Sequence, residues 1–182
     1  MFSCPLAYPE GRKLALLAAY SAFLALLLYF VQLGQLSWSI LLLSAVGWFA
    51  LEAGNDRKRL VNALKIGVFL LLFDFLFENS GWVAGLWETG SAFHLGVVPI
   101  EVMGIALFGG AAWALYLPKK FSLAHSIADS AIFALGGSLG EWLLIRQGLF
   151  QYHLWWTSVL AFIAYFCTWV LLHFIRYRVV GD

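Results

Sequence analysis

Four acidic residues lie within or at the ends of long apolar segments of the sequence. They are Asp74, Glu78, Glu101 and Glu141. An ionised carboxylate at membrane depth costs about 2.5 kcal/mol or more, so such a residue usually faces an interior cavity or a partner. Carboxyl groups crowded together in a medium of low dielectric also favour retention of a proton. We therefore expect a general acid that donates a proton within the bilayer.

Each acid also has a simpler interpretation when it is considered alone. Glu78 and Glu141 lie near the ends of apolar segments, where headgroup water can reach them. Glu101 falls in the first turn of a predicted helix, where the helix dipole favours a carboxylate, and Asp129 has a similar position. The grouping of the first four acids on one side of the predicted bundle favours a shared site.

Tryptophan residues are concentrated around these acids. The candidate substrate-binding residues are Asn79, Trp82, Trp87, Trp142 and Trp155. Tryptophan is common at the membrane–water interface, so an aromatic belt is one explanation. The other is an electron-rich cavity whose ring faces stabilise a carbocation. His94 and His153 lie in the neighbouring loops without HxxxH or HxxE spacing, so we expect neither a metal nor another cofactor.

The composition indicates that lipid is the solvent of this chain. Of its residues 63% are hydrophobic and 12% are charged, and the mean hydropathy is +0.86. An ordinary soluble domain carries about 25% charged residues. The net charge of +1 gives no indication of nucleic acid as a partner. The expected partners are the lipid bilayer and a lipophilic small-molecule substrate.

Six apolar segments predict an all-α integral membrane protein, with residues 1–182 as a single transmembrane domain. A membrane helix needs about 20 apolar residues. The segments are residues 14–33, 36–53, 60–77, 98–117, 126–145 and 156–175. Between them, residues 79–97 and 146–155 contain glycine and tryptophan, which predicts ordered interfacial loops.

The basic residues predict that both termini are cytoplasmic. In a six-helix arrangement one side carries Arg12, Lys13, Arg57, Lys58, Arg59, Lys119, Lys120, Arg176 and Arg178, whereas Arg146 is the basic residue of the opposite loops. Lysine and arginine are enriched in cytoplasmic loops. We expect a multi-pass protein of a prokaryotic plasma membrane.

Small residues with membrane-packing spacing occur in the fourth and fifth segments. Gly136 and Gly140 form a GxxxG pair, and Ala106 and Gly110 have the same spacing. Such residues let helix backbones approach closely. This predicts contact between these two helices, or a homo- or hetero-oligomer through the glycine-rich faces. The two cysteines, Cys4 and Cys167, have no pairing pattern, so we expect no disulfide.

One stretch of the sequence resembles a known family. The residues Phe77-Glu78-Asn79-Ser80-Gly81-Trp82, then Gly85 and Trp87, then Val98-Pro99-Ile100-Glu101 are similar to the small membrane-bound lycopene cyclases and related carotenoid hydratases. Membrane meroterpenoid cyclases are also similar in size and in their use of intramembrane acids. Val102 stands where the cyclases usually carry a second glutamate.

The resemblance implies a cyclase or hydratase reaction that begins with protonation and uses no redox cofactor. Glu78 or Glu101 would be the acid, and Asp74 and Glu141 would tune it or relay the proton. Two alternatives remain open at this point. The same acids suit a small proton- or cation-coupled transporter or channel subunit, and the glycine-rich faces suit a non-catalytic accessory protein.

Overall fold

A computed structural model describes residues 8–54 and 56–181, with side chains from Ala15 onward. Cys4 and Asn55 lie outside the described residues, as do the side chains of Arg12 and Lys13. The described chain is helical apart from short strands near one end of the helices. Cys167 is an exposed free cysteine.

The six predicted helices are confirmed. They are α1 (Tyr8–Phe30), α2 (Leu36–Glu52), α3 (Arg57–Val83), α4 (Ile100–Tyr116), α5 (Leu123–Arg146) and α6 (Ser158–Phe174), and a π-helical segment, Ile175–Val180, continues α6. Side-chain oxygens of Asp56, Ser122 and Thr157 accept backbone N–H groups at the starts of α3, α5 and α6. These caps satisfy donors that have no partner within a helix.

Three of the helical segments are long and apolar enough to cross a membrane. They are Arg57–Val83, Leu123–Arg146 and Ser158–Val180. The apolar helices Ala15–Phe30, Leu36–Glu52 and Ile100–Tyr116 are shorter. Large apolar side chains are exposed on the outer surface, among them Phe30 and Leu51. Apolar surface of this extent suits contact with lipid.

The backbones of α3 and α4 approach each other closely at two glycines. A Cβ atom added at Gly110 would lie 3.3 Å from the Cα of Gly67, and one at Gly67 would overlap the carbonyl of Leu107. Helix α4 also packs on α2, and α5 packs on α6. Gly110 therefore serves helix packing, as its spacing indicates, but its partner is α3.

The expected contact of α4 with α5 through Gly136 and Gly140 is wrong. A Cβ atom added at either glycine would meet no other atom of the described chain within 4 Å. Within the described part of the chain, the pair lies on a face of α5 that no other helix covers. The spacing alone does not fix which face of a helix meets a neighbour.

The predicted loop 79–97 begins later than expected, because α3 continues to Val83. Gly85, with a φ of +68°, reverses the chain just after this helix. The rest of the loop contains β1 (Trp87–Thr89), β2 (His94–Leu95) and β3 (Val98–Pro99), and loop 146–155 contains β4 (Phe150–Tyr152). Strand β1 pairs antiparallel with β4, and β2 with β3. The helix ends nearest these strands are called the strand end below, and the opposite ends the basic end.

Buried side chains form one cluster at each end. The strand-end cluster contains Trp38, Trp87, Leu144, Leu149 and Phe150. The basic-end cluster contains Ala63, Ile66, Ala111, Trp113, Ala114, Leu115, Leu117 and Leu172. The strand-end cluster packs around the β1–β4 pair, which holds the ends of α3 and α5 together.

Candidate active site

The ends of α3 and α5 carry the same short motif. Glu78 is followed by Gly85-Leu86-Trp87, and Glu141 is followed at the same distance by Gly148-Leu149-Phe150. Both glycines have positive φ, +68° and +69°. After each glycine the leucine N–H returns to a carbonyl of its helix, at 2.9 Å for Leu86 and 3.0 Å for Leu149. This closure is typical of a helix that ends in glycine.

The two motifs are related by an approximate two-fold arrangement. In the β1–β4 pair, Glu88 lies opposite Gln151, Trp87 opposite Tyr152 and Thr89 opposite Phe150. Each glutamate receives a hydrogen bond from the residue 11 positions later, Glu78 from Thr89 and Glu141 from Tyr152. The repeated motif thus places the two glutamates in matching positions beside one short sheet.

Glu78 and Glu141 differ in how their oxygens are used. Trp87 donates its indole N–H to Glu78 Oε2 over 2.9 Å, and Thr89 donates to the same oxygen over 3.4 Å. At Glu141, Tyr165 donates to Oε1 over 2.7 Å and Tyr152 donates to Oε2. A carboxylate that accepts at both oxygens suits the ionised form, whereas Glu78 keeps Oε1 available for a proton.

Asp74 is the third member of the cluster. It lies one turn before Glu78 on the same face of α3 and interacts electrostatically with Glu78 and Glu141. Its Oδ2 atom is buried and has no hydrogen-bond partner among the described residues. A buried acceptor without a donor is costly, so this position suits a protonated carboxyl group or an atom that meets a ligand.

An aromatic wall borders the cluster. The ring centroids of Phe77 and Trp87 are 5.2 Å apart, and those of Trp87 and Trp156 are 4.6 Å apart. Trp156 lies 6.3 Å from Phe77 and completes the group. Trp87 is buried against the other two rings and bonds to Glu78, so the carboxyl group of Glu78 lies beside an aromatic cluster.

A cavity of about 600 Å³ lies at the strand end, and neither the three wall rings nor the three acids are among its lining residues. Its lining includes Trp82, Glu88, Thr89, His94, Ile145 and Phe150. Thr89 lines the cavity and also donates a hydrogen bond to Glu78. Asn79 does not line the cavity but lies next to Gly96, which does, since a Cβ atom added at Gly96 would lie 2.9 Å from Asn79 Oδ1. The volume is within the usual range for small-molecule sites.

Three of the expected site residues lie elsewhere. Glu101 accepts a hydrogen bond from Ser91 Oγ over 3.3 Å and does not join the other acids. Trp142 stacks on Tyr29 with centroids 6.0 Å apart, and Trp155 is mostly exposed. Neighbouring residues of a helix point about 100° apart, so the inward direction of Glu141 turns Trp142 outward.

The site also includes residues that the sequence analysis did not select, namely Thr89, Tyr152, Trp156 and Tyr165. Tyr152 had a signal in the sequence, because it follows Glu141 by the same 11 residues as Thr89 follows Glu78 in the repeated motif. Burial raises the pKa of Tyr152 above its ordinary value, and the charge of Glu141 raises it further. Tyr152 is therefore a neutral donor to Glu141 over the physiological pH range.

A second buried polar group lies at the basic end. Trp113 Nε1 donates to Asp129 Oδ2 over 2.8 Å, and His173 Nε2 lies 3.0 Å from the same oxygen. All three side chains are buried. Asp129 is thus an interior residue, whereas the sequence indicated only a helix-start position.

Comparisons with protein families, curated proteins and solved structures found no match to this chain. Among the described residues, no group of three or more His, Cys, Asp or Glu side chains is placed to hold a metal ion.

Proposed function

We propose that this chain is a membrane enzyme that protonates a carbon–carbon double bond of an isoprenoid substrate. The observation that carries the proposal is the buried Oδ2 of Asp74, which lies beside Glu78 and Glu141 and has no hydrogen-bond partner among the described residues. Carboxyl groups at membrane depth usually mark a substrate or proton site. The aromatic wall supplies the apolar and cation-stabilising surface that such a substrate needs.

In the proposed step, Asp74 or Glu78 transfers its carboxyl proton to one carbon of the double bond. The π electrons form the new C–H bond, the other carbon becomes a cation, and the acid is left as a carboxylate. The rings of Trp87 and Trp156 stabilise this cation. A second double bond of the substrate attacks the cation in a cyclisation, or water captures it in a hydration. Glu141, whose two oxygens each accept a hydrogen bond from a phenol, accepts the proton that the product loses.

The family resemblance supports the same chemistry. The lycopene cyclases and carotenoid hydratases that the stretch around Glu78 resembles act without a redox cofactor. Within that resemblance we assign the acid to Glu78 or Asp74 rather than to Glu101, because Glu101 bonds to Ser91.

We further propose six membrane spans with cytoplasmic termini in a prokaryotic plasma membrane. All described basic side chains except Arg146 and Lys65 lie near the helix ends or loops of the basic end, which fits the preference of lysine and arginine for the cytoplasmic side. The acid cluster then lies near the outer surface. The open face at Gly136 and Gly140 is available to a second chain.

The test measures incorporation of solvent hydrogen into the substrate. Purified protein in lipid vesicles is incubated in deuterium oxide with an acyclic polyprenyl hydrocarbon, and the recovered lipid is analysed by mass spectrometry. Protonation followed by loss of a proton leaves deuterium in the product even when the skeleton is unchanged. We expect incorporation with the parent protein, and its loss in Asp74→Asn and Glu78→Gln.

The matched control is Glu101→Gln, which makes the same chemical change outside the cluster. It should retain incorporation within about twofold, because Glu101 contacts Ser91 rather than the other acids. Equal incorporation by the parent protein, both cluster variants and protein-free vesicles would rule out the proposed chemistry.

A transporter is the second candidate, and the buried Asp129–His173 pair favours it. Asp129 and Glu141 lie on the same helix about 18 Å apart along its axis, so titratable groups occupy both ends of α5. A proton-coupled carrier would pass protons between the two groups. Proteoliposomes with an internal pH dye distinguish the candidates: a carrier collapses an imposed pH gradient, whereas the enzyme leaves the gradient intact.

A further inference from the structure

A second cavity lies at the basic end, in a groove between α5 and α6. Its volume is about 300 Å³, and its lining includes Ser126, Ile127, Val170, His173, Phe174 and Arg178. This groove is remote from the acid cluster, which lies at the strand end. No step of the proposed reaction uses it.

The floor of the groove carries two buried polar atoms without partners. Ser126 is 6% exposed and His173 is 2% exposed. Ser126 Oγ and His173 Nδ1 have no hydrogen-bond partner among the described residues. The other nitrogen of His173 is already held by Asp129. Buried polar atoms normally have partners, so these two indicate a polar group bound in the groove.

The electrostatic setting favours an anion. Arg178 borders the groove and is exposed. Ser126 lies in the first turn of α5, where the helix dipole stabilises negative charge. Lys119 and Lys120 are exposed in the loop just before this helix. Positive charge therefore borders the open side of the groove, while the carboxylate of Asp129 lies beside its floor, bonded to His173.

The walls of the groove are apolar and open to the side. Ile127, Val170 and Phe174 line it and are about half exposed on the outer surface of α5 and α6. An acyl chain that runs along these side chains remains in the hydrocarbon layer, while its head group reaches the polar floor. The groove thus matches an amphiphile with one anionic end.

We propose that this groove binds an anionic phospholipid of the membrane, with its phosphate at Ser126 and Arg178. The choice of a membrane lipid follows from the side opening and from the ring of basic residues at the headgroup level of the basic end. The proposal is independent of the reaction at the strand end.

The test is native mass spectrometry of the full chain released from vesicles of equal parts phosphatidylglycerol and phosphatidylcholine. We expect one phosphatidylglycerol to be retained in preference to phosphatidylcholine. Arg178→Gln and Ser126→Ala should each lower retention, Arg178→Gln by on the order of tenfold, as expected for loss of one charge-assisted hydrogen bond. These variants are preferred to changes at His173, which also holds Asp129.

The matched control is Arg146→Gln, which removes a positive charge at the strand end, where the guanidinium lies 4.4 Å from the ring centroid of Tyr29. It should leave retention unchanged. Equal retention of the two lipids, or equal losses in Arg178→Gln and Arg146→Gln, would overturn the proposal. Displacement of phosphatidylglycerol by a small amount of polyprenyl phosphate would also overturn it, because the site would then belong to a phosphorylated isoprenoid.

Discussion

The side chain of Trp87 contacts α3 at two residues, Glu78 and Gly81. Its indole N–H donates to Glu78 Oε2 over 2.9 Å, and its six-membered ring lies against the backbone of Gly81. A Cβ atom at position 81 would overlap that ring. Gly81 therefore makes room for the residue that positions Glu78.

The first prediction is that Gly81→Ala destabilises the protein by about 1–3 kcal/mol, the usual cost of overpacking. The added methyl group must displace Trp87, because the helix backbone cannot move away locally. The measurement is a denaturant titration in detergent micelles. Gly140→Ala is the control, since position 140 is open and alanine favours a helix by about 1 kcal/mol over glycine. If both variants unfold like the parent, Trp87 does not pack on Gly81.

The sequence predicts part of the fold and of the candidate site, but not all of either. The six helices follow from apolar segments because a backbone in lipid must satisfy its own hydrogen bonds. The contribution of Asp74, Glu78 and Glu141 to one cluster also follows, since charged residues avoid lipid. The position of Glu101 outside this cluster could not be predicted, because it depends on the path of the loop that brings Ser91 next to Glu101.

Long-range pairing explains most of the remaining differences. Strands β1 and β4 have three residues each, which is too short for an alternating pattern that would predict a strand. They also lie more than 60 positions apart in the sequence, so their pairing could not be predicted. Their pairing brings Tyr152 to Glu141 and Trp87 toward Trp156. The direction of Gly136 and Gly140 is likewise set by tertiary packing rather than by their spacing.

The second prediction concerns orientation in the membrane. Single cysteines at Glu88 and Gln151, which are exposed at the strand end, should react with an impermeant maleimide in intact cells. Cysteines at Lys119 and Lys120 should react only after the membrane is permeabilised. The background is a variant in which Cys4 and Cys167 are replaced by serine. External labelling at Lys119 would reverse the proposed orientation.

The third prediction concerns Tyr152, whose pKa is raised by burial and by Glu141. Exposed phenols ionise near pH 10, so Tyr152 should remain protonated through that range. Tyr152→Phe should therefore leave the phenolate absorbance gained between about pH 9 and pH 11 unchanged. A decrease equal to one phenol would show that Tyr152 ionises normally.

The raised pKa of Tyr152 also predicts the direction in which the stability of the protein changes at alkaline pH. Above pH 10 the unfolded chain loses the Tyr152 proton and the folded chain keeps it, so the free energy of unfolding falls as the pH rises. Tyr152→Phe should flatten this fall. The measurement is the denaturation midpoint in detergent at neutral pH and at about pH 11, with parent and variant compared at each. An equal fall in both proteins would contradict the assigned pKa shift.

The last prediction concerns the buried pair at the basic end. Asp129 Oδ2 accepts from Trp113 and lies 3.0 Å from His173 Nε2, and all three side chains are buried. Removing one partner of such a group leaves the other desolvated and unpaired, which costs more than the hydrogen bond itself contributes. Asp129→Leu should therefore destabilise the protein by about 3–5 kcal/mol, and His173→Leu by somewhat less.

The double variant Asp129→Leu/His173→Leu decides whether the pair acts as a unit. It removes both polar partners together, so its destabilisation should be smaller than the sum of the single effects by about 1–3 kcal/mol. The control combines Asp129→Leu with Ser44→Ala. Ser44 lies on α2 and bonds to Tyr20 of α1 and to Ile40 of its own helix, so it has no contact with the pair. That combination should be additive. Additive effects in the Asp129–His173 variants would instead mean that the two residues contribute separately, and the proton path of the transporter candidate would lose its starting point.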